Sequence, residues 1–218
     1  MNKPLKYICI ILVILLVSFS SNDNDIKSID DLAYVVAIGV DLNDSSNLEI
    51  TYQVSIPTSL TSDSSGVSSS DSTFFLKTIE CSSIDSGINL LNSLVSKKIN
   101  FSNCKAIIIS EKIAENGISD YIFSLLNYSE ISPQCNVIIS KCLAKDVLEN
   151  SKPTLENLAA KYYEVVPSSS EYTGYTVDVN LGSFFSTMSY SFRQNYAILV
   201  GINNKMSSTT NLTNSNRK

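Results

Sequence analysis

The stretch that decides the fold is Ala33 to Val40, AYVVAIGV, an unbroken apolar run rich in β-branched residues. A run of this length and composition predicts a strand buried within a sheet. Leu48 to Ile56, LEITYQVSI, alternates apolar and polar residues, which predicts a second strand with one covered face. The residues between them, Asp41 to Asn47, have the composition of a turn. The two strands are therefore expected to form a hairpin.

The segment after the hairpin predicts a third strand and then a helix. Ser, Thr and Asp dominate residues 58–72, so we expect a mobile loop there, followed by a strand at Thr73 to Glu80. Ser82 or Ser83 can cap a helix that runs to about Lys98, with Lys97 and Lys98 at the negative end of its dipole. Its apolar stripe consists of Ile84, Ile88, Leu91 and Leu94 or Val95.

Strands and helices then alternate along the chain, and this alternation decides the fold class. Cys104 to Ile109, CKAIII, predicts a strand covered on both faces, and Ser110 begins a short turn that ends at Gly117. A helix at Ile118 to Asn127, a strand at Asn136 to Ser140 and a short helix at Ala144 to Glu149 follow. Such alternation implies parallel, right-handed crossovers. We therefore expect an α+β domain, with a mixed β-sheet, an N-terminal hairpin, βαβ crossovers and helices packed on the sheet.

The pattern is less regular beyond residue 150. Thr154 to Tyr163 predicts a helix with Leu155, Leu158, Ala159 and Tyr162 on one side, and Pro167 to Ser170 interrupts it. A short helix at Val177 to Met188 and a strand at Tyr196 to Ile202 are expected next. The tail from Asn203 to Lys218 is almost entirely polar, which predicts disorder.

The N-terminus has the pattern of an export signal. Lys3 and Lys6 precede an apolar run from Tyr7 to Val17, which is too short for a permanent membrane span. Leu16-Val17-Ser18 resembles the tripeptide before the lipid-modified cysteine of a bacterial lipoprotein, but the next residue is Phe19. Either a lipid anchor has been lost, or Ser18 and Ser20 precede a free cleavage site. We therefore predict a signal peptide at 1–20, a tether at 21–28, the α+β domain at 29–190, and at 191–218 the truncated start of a C-terminal region with its tail.

Composition excludes several classes of function. The net charge of -5 argues against nucleic acid, since phosphate binding requires a concentrated basic surface. The sequence contains no histidine, which removes the usual general base at neutral pH and the commonest zinc ligand. No glycine-rich phosphate loop is present either. We expect no catalytic residue, no metal and no cofactor.

The remaining candidate groups favour structural roles. Ser102 and Lys105 have an S-x-x-K spacing, but the pair leads into a strand rather than opening a helix, so an exported hydrolase is disfavoured. Adjacent acids at Asp30-Asp31 and Glu111/Glu115 are expected on the solvated surface, and Asp41, Asn43 and Asp44 do not have EF-hand spacing. Cys81, Cys104, Cys135 and Cys142 are expected to be small buried residues, with one disulfide as the alternative.

The order of these segments resembles a known family. Asp31 to Asp41, DLAYVVAIGVD, is similar to the opening of the Ger(x)C family, the C subunits of spore germinant receptors. The segments that continue the likeness are Leu48 to Pro57, Ile84 to Lys98, Phe101 to Ser110, Glu111 to Ile118, Asn136 to Leu148 and Pro153 to Glu156. The resemblance spans residues 26–165 and continues faintly to 190, and it rests on the ordered set rather than on one motif.

This resemblance implies a non-enzymatic lipoprotein on the outer face of the spore inner membrane. It would act in nutrient-triggered germination beside two membrane-embedded partners, the A and B subunits. Phe19 stands where the family has its lipid-bearing cysteine, and the family continues through a larger C-terminal domain, so the chain resembles the N-terminal domain alone. The alternatives are a free exported binding domain or a non-functional truncated remnant of the family.

Overall fold

The computed structural model describes residues 7, 10–13, 32–43, 45–55, 74–151, 159–190 and 192–202. The chain divides into two units, residues 1–31 and residues 32–218. In the first unit, Tyr7 and residues 10–13 are helical and exposed. Among the residues described, no helix combines the length and the apolar character needed to cross a membrane. The rest of the predicted signal peptide, the tether, Phe19 and the Asp30-Asp31 pair lie outside the described residues.

The second unit is built on one mixed sheet of seven strands. The strands are β1 (Leu32–Leu42), β2 (Leu48–Ser55), β3 (Phe74–Cys81), β4 (Lys98–Asn100), β5 (Ala106–Ser110), β6 (Asn136–Ser140) and β7 (Ile198–Val200). Their order across the sheet is β3-β2-β1-β5-β6-β7, and β4 pairs with the first residues of β1. The α+β prediction is therefore confirmed.

The two halves of the sheet differ in strand direction, as the sequence predicts. β1 and β2 form the antiparallel hairpin, and β3 pairs antiparallel with β2 along its whole length. The β1–β5, β5–β6 and β6–β7 pairs are all parallel. β1 is the junction of the two halves, because it pairs with β2 on one side and with β4 and β5 on the other.

The helices lie along the chain between these strands. They are α1 (Ile84–Leu94), α2 (Glu111–Asn116), α3 (Ser119–Asn127), α4 (Ala144–Asn150), α5 (Ala159–Ser168), α6 (Ser170–Thr173) and α7 (Leu181–Ser189). α2 ends at Gly117, whose φ of 118° is a left-handed conformation that suits glycine. The apolar face predicted for α3 is confirmed, with Ile122 and Leu125 buried.

The sheet carries an apolar core on each of its two faces. The larger core joins Ile50 and Ile107 to residues of α1, α3 and α7, and the smaller core joins Ala37 and Ile108 to α4 and to Tyr163 of α5. The prediction of one covered face for β2 is wrong, because Thr51 and Gln53 on its other face are also fully buried. Alternation along a strand records side-chain polarity, which cannot show that a helix will cover the polar face.

Several helix boundaries also differ from the prediction, among them the start of α7 at Leu181 rather than Val177. α1 ends at Leu94 rather than near Lys98, because Val95 is extended and Lys98 already belongs to β4. Neither lysine therefore belongs to the last turn of that helix. α5 continues through Pro167 to Ser168, and Tyr163 rather than Tyr162 is the buried tyrosine. The predicted loop at 58–72, the start of the helix at Thr154 and the polar tail lie outside the described residues.

Candidate functional site

The carboxyl ends of the parallel strands lie at one edge of the sheet. In open sheets that contain parallel strands, this edge is where ligands most often bind. β1 reaches it with Asp41, β5 with Ser110 and β6 with Ser140, and all three side chains are buried. The hydroxyl of Ser110 is buried without a hydrogen-bond partner. This edge is the first candidate site.

Asp41 is engaged in positioning a helix and does not face an open cavity. Its Oδ1 accepts a hydrogen bond from the backbone N–H of Ala144 at 2.7 Å, and its Oδ2 accepts one from Lys145 at 3.0 Å. These N–H groups belong to the first turn of α4, whose own N-cap residue makes no side-chain cap. Asp41 therefore caps α4 from a neighbouring strand. Burial raises the pKa of this carboxyl, and the two backbone donors oppose that rise.

A glycine two residues earlier allows α4 to lie against β1. A Cβ added at Gly39 would lie 2.9 Å from Cδ1 of Leu148 and 3.2 Å from Cβ of Ala144. β1 thus positions α4 in two ways. The helix packs over Gly39, which has no side chain, and Asp41 caps the first turn of the same helix. This role of Asp41 was not predicted from the sequence. The position of an acid directly after a buried apolar run was the feature that could have indicated it.

An open cleft of about 440 Å³ lies beside this edge. Its lining residues are Lys141, Cys142, Asp146, Asn150, Gly201 and Ile202. Enclosed pockets for small molecules have mostly apolar walls. This cleft is open to solvent and is lined by both charged and apolar residues, so it is not an enclosed pocket of that kind.

Exposed aromatic side chains are concentrated in one part of the chain, from Tyr172 to Tyr196. We call them the C-terminal aromatic surface: Tyr172, Tyr175, Tyr190, Phe192 and Tyr196, each at least 60% exposed. The guanidinium of Arg193 lies 5.7 Å from the ring centre of Tyr190. Tyrosine, phenylalanine and arginine are enriched where proteins bind one another. These residues were not predicted as a site, because the sequence does not show which aromatic side chains are exposed in the folded protein.

The predicted S-x-x-K pair does not form a catalytic arrangement. The Ser102 hydroxyl donates a hydrogen bond to Oδ1 of Asn100, and no hydrogen bond joins it to Lys105. Glu111 and Glu115 lie on α2, where Glu115 is exposed, and Asp41 is committed to α4. Within the described part of the chain, no group of three or more acids or cysteines is placed to hold a metal ion.

Four of the five cysteines lie within the described residues, and they divide into two kinds. Cys81 and Cys142 are partly exposed, whereas Cys104 and Cys135 are buried in the larger core with their sulfur atoms 3.4 Å apart. Burial raises the pKa of Cys135 well above its ordinary value, with a further rise from its Cys104 neighbour. Cys104 and Cys135 are small buried residues of the core, as predicted, whereas the partly exposed Cys81 and Cys142 differ from that prediction.

Comparison with known proteins assigns the fold to a family. A family model described as the spore germination protein N-terminal domain matches residues 25–202. The match extends over every strand from β1 to β7. Searches of curated proteins and of solved structures found no match.

Proposed function

The chain belongs to the family defined by the spore germination protein N-terminal domain, and we propose from this membership that it is a non-enzymatic subunit of a nutrient-germinant receptor. A role in spore germination follows from the family itself. The extent of the match is the main support for the proposed role as a receptor subunit, since the match includes both the hairpin and the parallel half of the sheet. The predicted resemblance to the Ger(x)C family is confirmed by this match.

The proposed partners are the membrane-embedded A and B subunits of the receptor. The C-terminal aromatic surface supports this proposal. Large aromatic side chains bury a large apolar area when a partner covers them, and this burial favours binding. A receptor subunit acts by contact rather than by turnover. The open cleft at the sheet edge and this surface are both accessible to a partner.

The proposed location is the outer face of the spore inner membrane. The basic start and the apolar run from Tyr7 to Val17 support export. Phe19 in place of the lipid-bearing cysteine argues that contacts with the partner subunits, or an uncleaved leader, retain the protein at the membrane. Fractionation of dormant spores and sequencing of the mature N-terminus would test this point, and recovery in the soluble core fraction would refute it.

Deletion of the gene tests the functional proposal. Spores without the protein are expected to germinate poorly with the nutrient that their receptor recognises, yet normally with a trigger that bypasses nutrient receptors. Complementation with the full chain should restore the nutrient response. A normal response to every nutrient tested would contradict the proposal, and a defect with both kinds of trigger would indicate a role outside the receptor.

A further inference from the structure

The pair of buried sulfur atoms at Cys104 and Cys135 is the feature that the proposed function leaves unexplained. The two Sγ atoms lie 3.4 Å apart, and the exposed fractions of the two residues are 2% and 1%. A disulfide requires about 2.05 Å between the sulfur atoms and Cα atoms about 4.4–6.8 Å apart. Closing the pair thus shortens the sulfur separation by about 1.4 Å.

The backbone on both sides of the pair is already fixed. Cys104 precedes β5 and its N–H donates to the carbonyl of Phe101, while Cys135 precedes β6 and its N–H donates to the carbonyl of Ser132. The N–H of Asn136 donates to the carbonyl of Lys105 at 2.8 Å, so the two strand entries are adjacent. The register pairs Ala106 with Asn136, so Cys104 and Cys135 precede adjacent parallel strands and are offset from each other by one residue.

The position of the pair also gives a bond a structural effect. Between β5 and β6 the chain makes a parallel crossover through α2 and α3. Cys104 precedes β5 and Cys135 precedes β6, so a bond would close a loop that contains β5, α2 and α3. Such a bond stabilises the folded state mainly by restricting the unfolded chain.

We propose that Cys104 and Cys135 form a disulfide in the mature protein. The two thiols lose two protons and two electrons as the S–S bond forms, and the donor disulfide of an extracytoplasmic thiol oxidoreductase is reduced to its dithiol. Because both residues are buried in the folded domain, the exchange takes place during folding after export, while the thiols are still accessible. Formation of the bond in the cell rests on export, which is part of the proposed function. The ability of the purified protein to form the bond does not depend on export.

The first experiment tests that capacity on the purified full chain. The reduced protein is refolded in glutathione buffers of increasing oxidation, quenched with acid, alkylated under denaturing conditions and mapped by mass spectrometry. We expect the peptides of Cys104 and Cys135 to be joined, and Cys81 and Cys142 to carry the alkyl label. Labelled Cys104 and Cys135 under the most oxidising buffer would overturn the proposal, as would either residue joined mainly to a different cysteine.

The second experiment measures what the bond does. The oxidised wild type is expected to unfold at a higher urea concentration than the reduced wild type. A Cys104→Ala/Cys135→Ala variant should show no such difference, whereas a Cys81→Ser/Cys142→Ser variant should retain it. Equal midpoints for oxidised and reduced wild type would overturn the stabilising role, even if the double alanine variant fails to fold.

The third experiment examines the protein in dormant spores, lysed in acid and alkylated before mapping. A joined Cys104–Cys135 peptide is expected there. If the bond forms in vitro but the spore protein is fully labelled at both cysteines, the proposal for the mature protein is overturned and the location becomes the point in doubt. Germination of spores that carry the double alanine variant is a separate readout, so failure of the disulfide proposal and failure of the receptor proposal are distinguishable.

Discussion

Asp41 and Gly39 lie two residues apart on β1, and both act on the same helix, α4. Gly39 leaves room for Leu148 and Ala144, and Asp41 binds the first N–H groups of the helix. Helix ends have N–H groups without intrahelical partners, which must be paired when the end is buried. The sequence GVD at the end of the buried run thus fixes the place of a helix that lies a hundred residues later in the chain.

Removal of the Asp41 carboxyl should destabilise the domain. Asp41→Ala leaves two backbone N–H groups of α4 without their acceptor, and we expect the free energy of unfolding to fall by about 1–3 kcal/mol. The measurement is urea unfolding followed by circular dichroism. Asp120→Ala is the matched control, because Asp120 is an exposed acid in the first turn of α3 and should change stability by less than about 0.5 kcal/mol. Equal effects of the two substitutions would contradict the capping role.

Asp41 should also give the stability of the domain a specific pH dependence. Burial raises the pKa of its carboxyl above 3.8, so the folded state binds a proton that the unfolded state has released. The contribution of this group to stability is therefore fully present below pH 3.8 and is lost as the pH rises through the higher folded value. Relative to Asp41→Asn, the wild type should lose free energy of unfolding over that range. Parallel pH profiles for the two proteins would exclude the raised pKa.

A side chain at Gly39 should be poorly tolerated. Gly39→Ala places a Cβ 2.9 Å from Cδ1 of Leu148 and 3.2 Å from Cβ of Ala144, so the Leu148 side chain must rotate or α4 must shift. We expect a loss of about 1–3 kcal/mol in the free energy of unfolding, as for other overpacked cores. Gly201→Ala is the control, since its new Cβ would meet only Cβ of Lys141 at 3.9 Å. Both variants can be compared by thermal unfolding, and an unchanged midpoint for Gly39→Ala would show that α4 does not need this close approach.

At the scale of elements, the two ends of α1 are set by different causes: local sequence sets its start, and tertiary contacts set its end. Ser83 and Ser86 form a reciprocal capping box, in which the N–H of Ser86 donates to the Ser83 hydroxyl and the N–H of Ser83 donates to the Ser86 hydroxyl. The start of the helix is therefore encoded locally. Its end is not, because Lys98 to Asn100 pair with β1 and take the chain out of the helix.

Loss of the cap should weaken α1 and little else. Ser83→Ala removes the acceptor for the N–H of Ser86, and we expect the free energy of unfolding to fall by about 1 kcal/mol. Hydrogen exchange should become faster in the first turn of α1, while the amides of β5 keep their relative protection. Ser96→Ala serves as the control, because Ser96 is an exposed serine just beyond the end of α1. A uniform increase in exchange across the sheet would indicate a global role instead.

At the scale of the whole molecule, the described part of the surface carries several exposed aromatic side chains. The aromatic side chains from Tyr172 to Tyr196 lie in the segment of the chain between α5 and β7, the last strand of the sheet. In a folded domain that acts alone, side chains of this size are usually covered. Their exposure is consistent with the proposed contact with membrane-embedded subunits.

Substitution of this surface should separate assembly from folding. A Tyr190→Ser/Phe192→Ser/Tyr196→Ser variant is expected to keep the thermal unfolding midpoint of the wild type, because these side chains are 60%, 101% and 64% exposed. Its cross-linking to the A and B subunits in spore membranes should fall at least several-fold. Leu94→Ser changes an equally exposed apolar residue on α1 and should leave cross-linking unchanged. Unchanged cross-linking of the triple variant would place the interface elsewhere.

The sequence alone determined the class of element along most of the chain, the hairpin and the parallel half of the sheet, and the family resemblance that the later comparison confirmed. These follow from local patterns, since apolar periodicity and caps depend on residues within a few positions of one another. Only the tertiary structure decided that both faces of β2 are covered, that Asp41 caps α4, that Lys98 joins a strand, and that Cys104 meets Cys135. Each of these depends on pairs of residues that are distant in sequence, and a pattern along one chain does not record which distant segments come into contact.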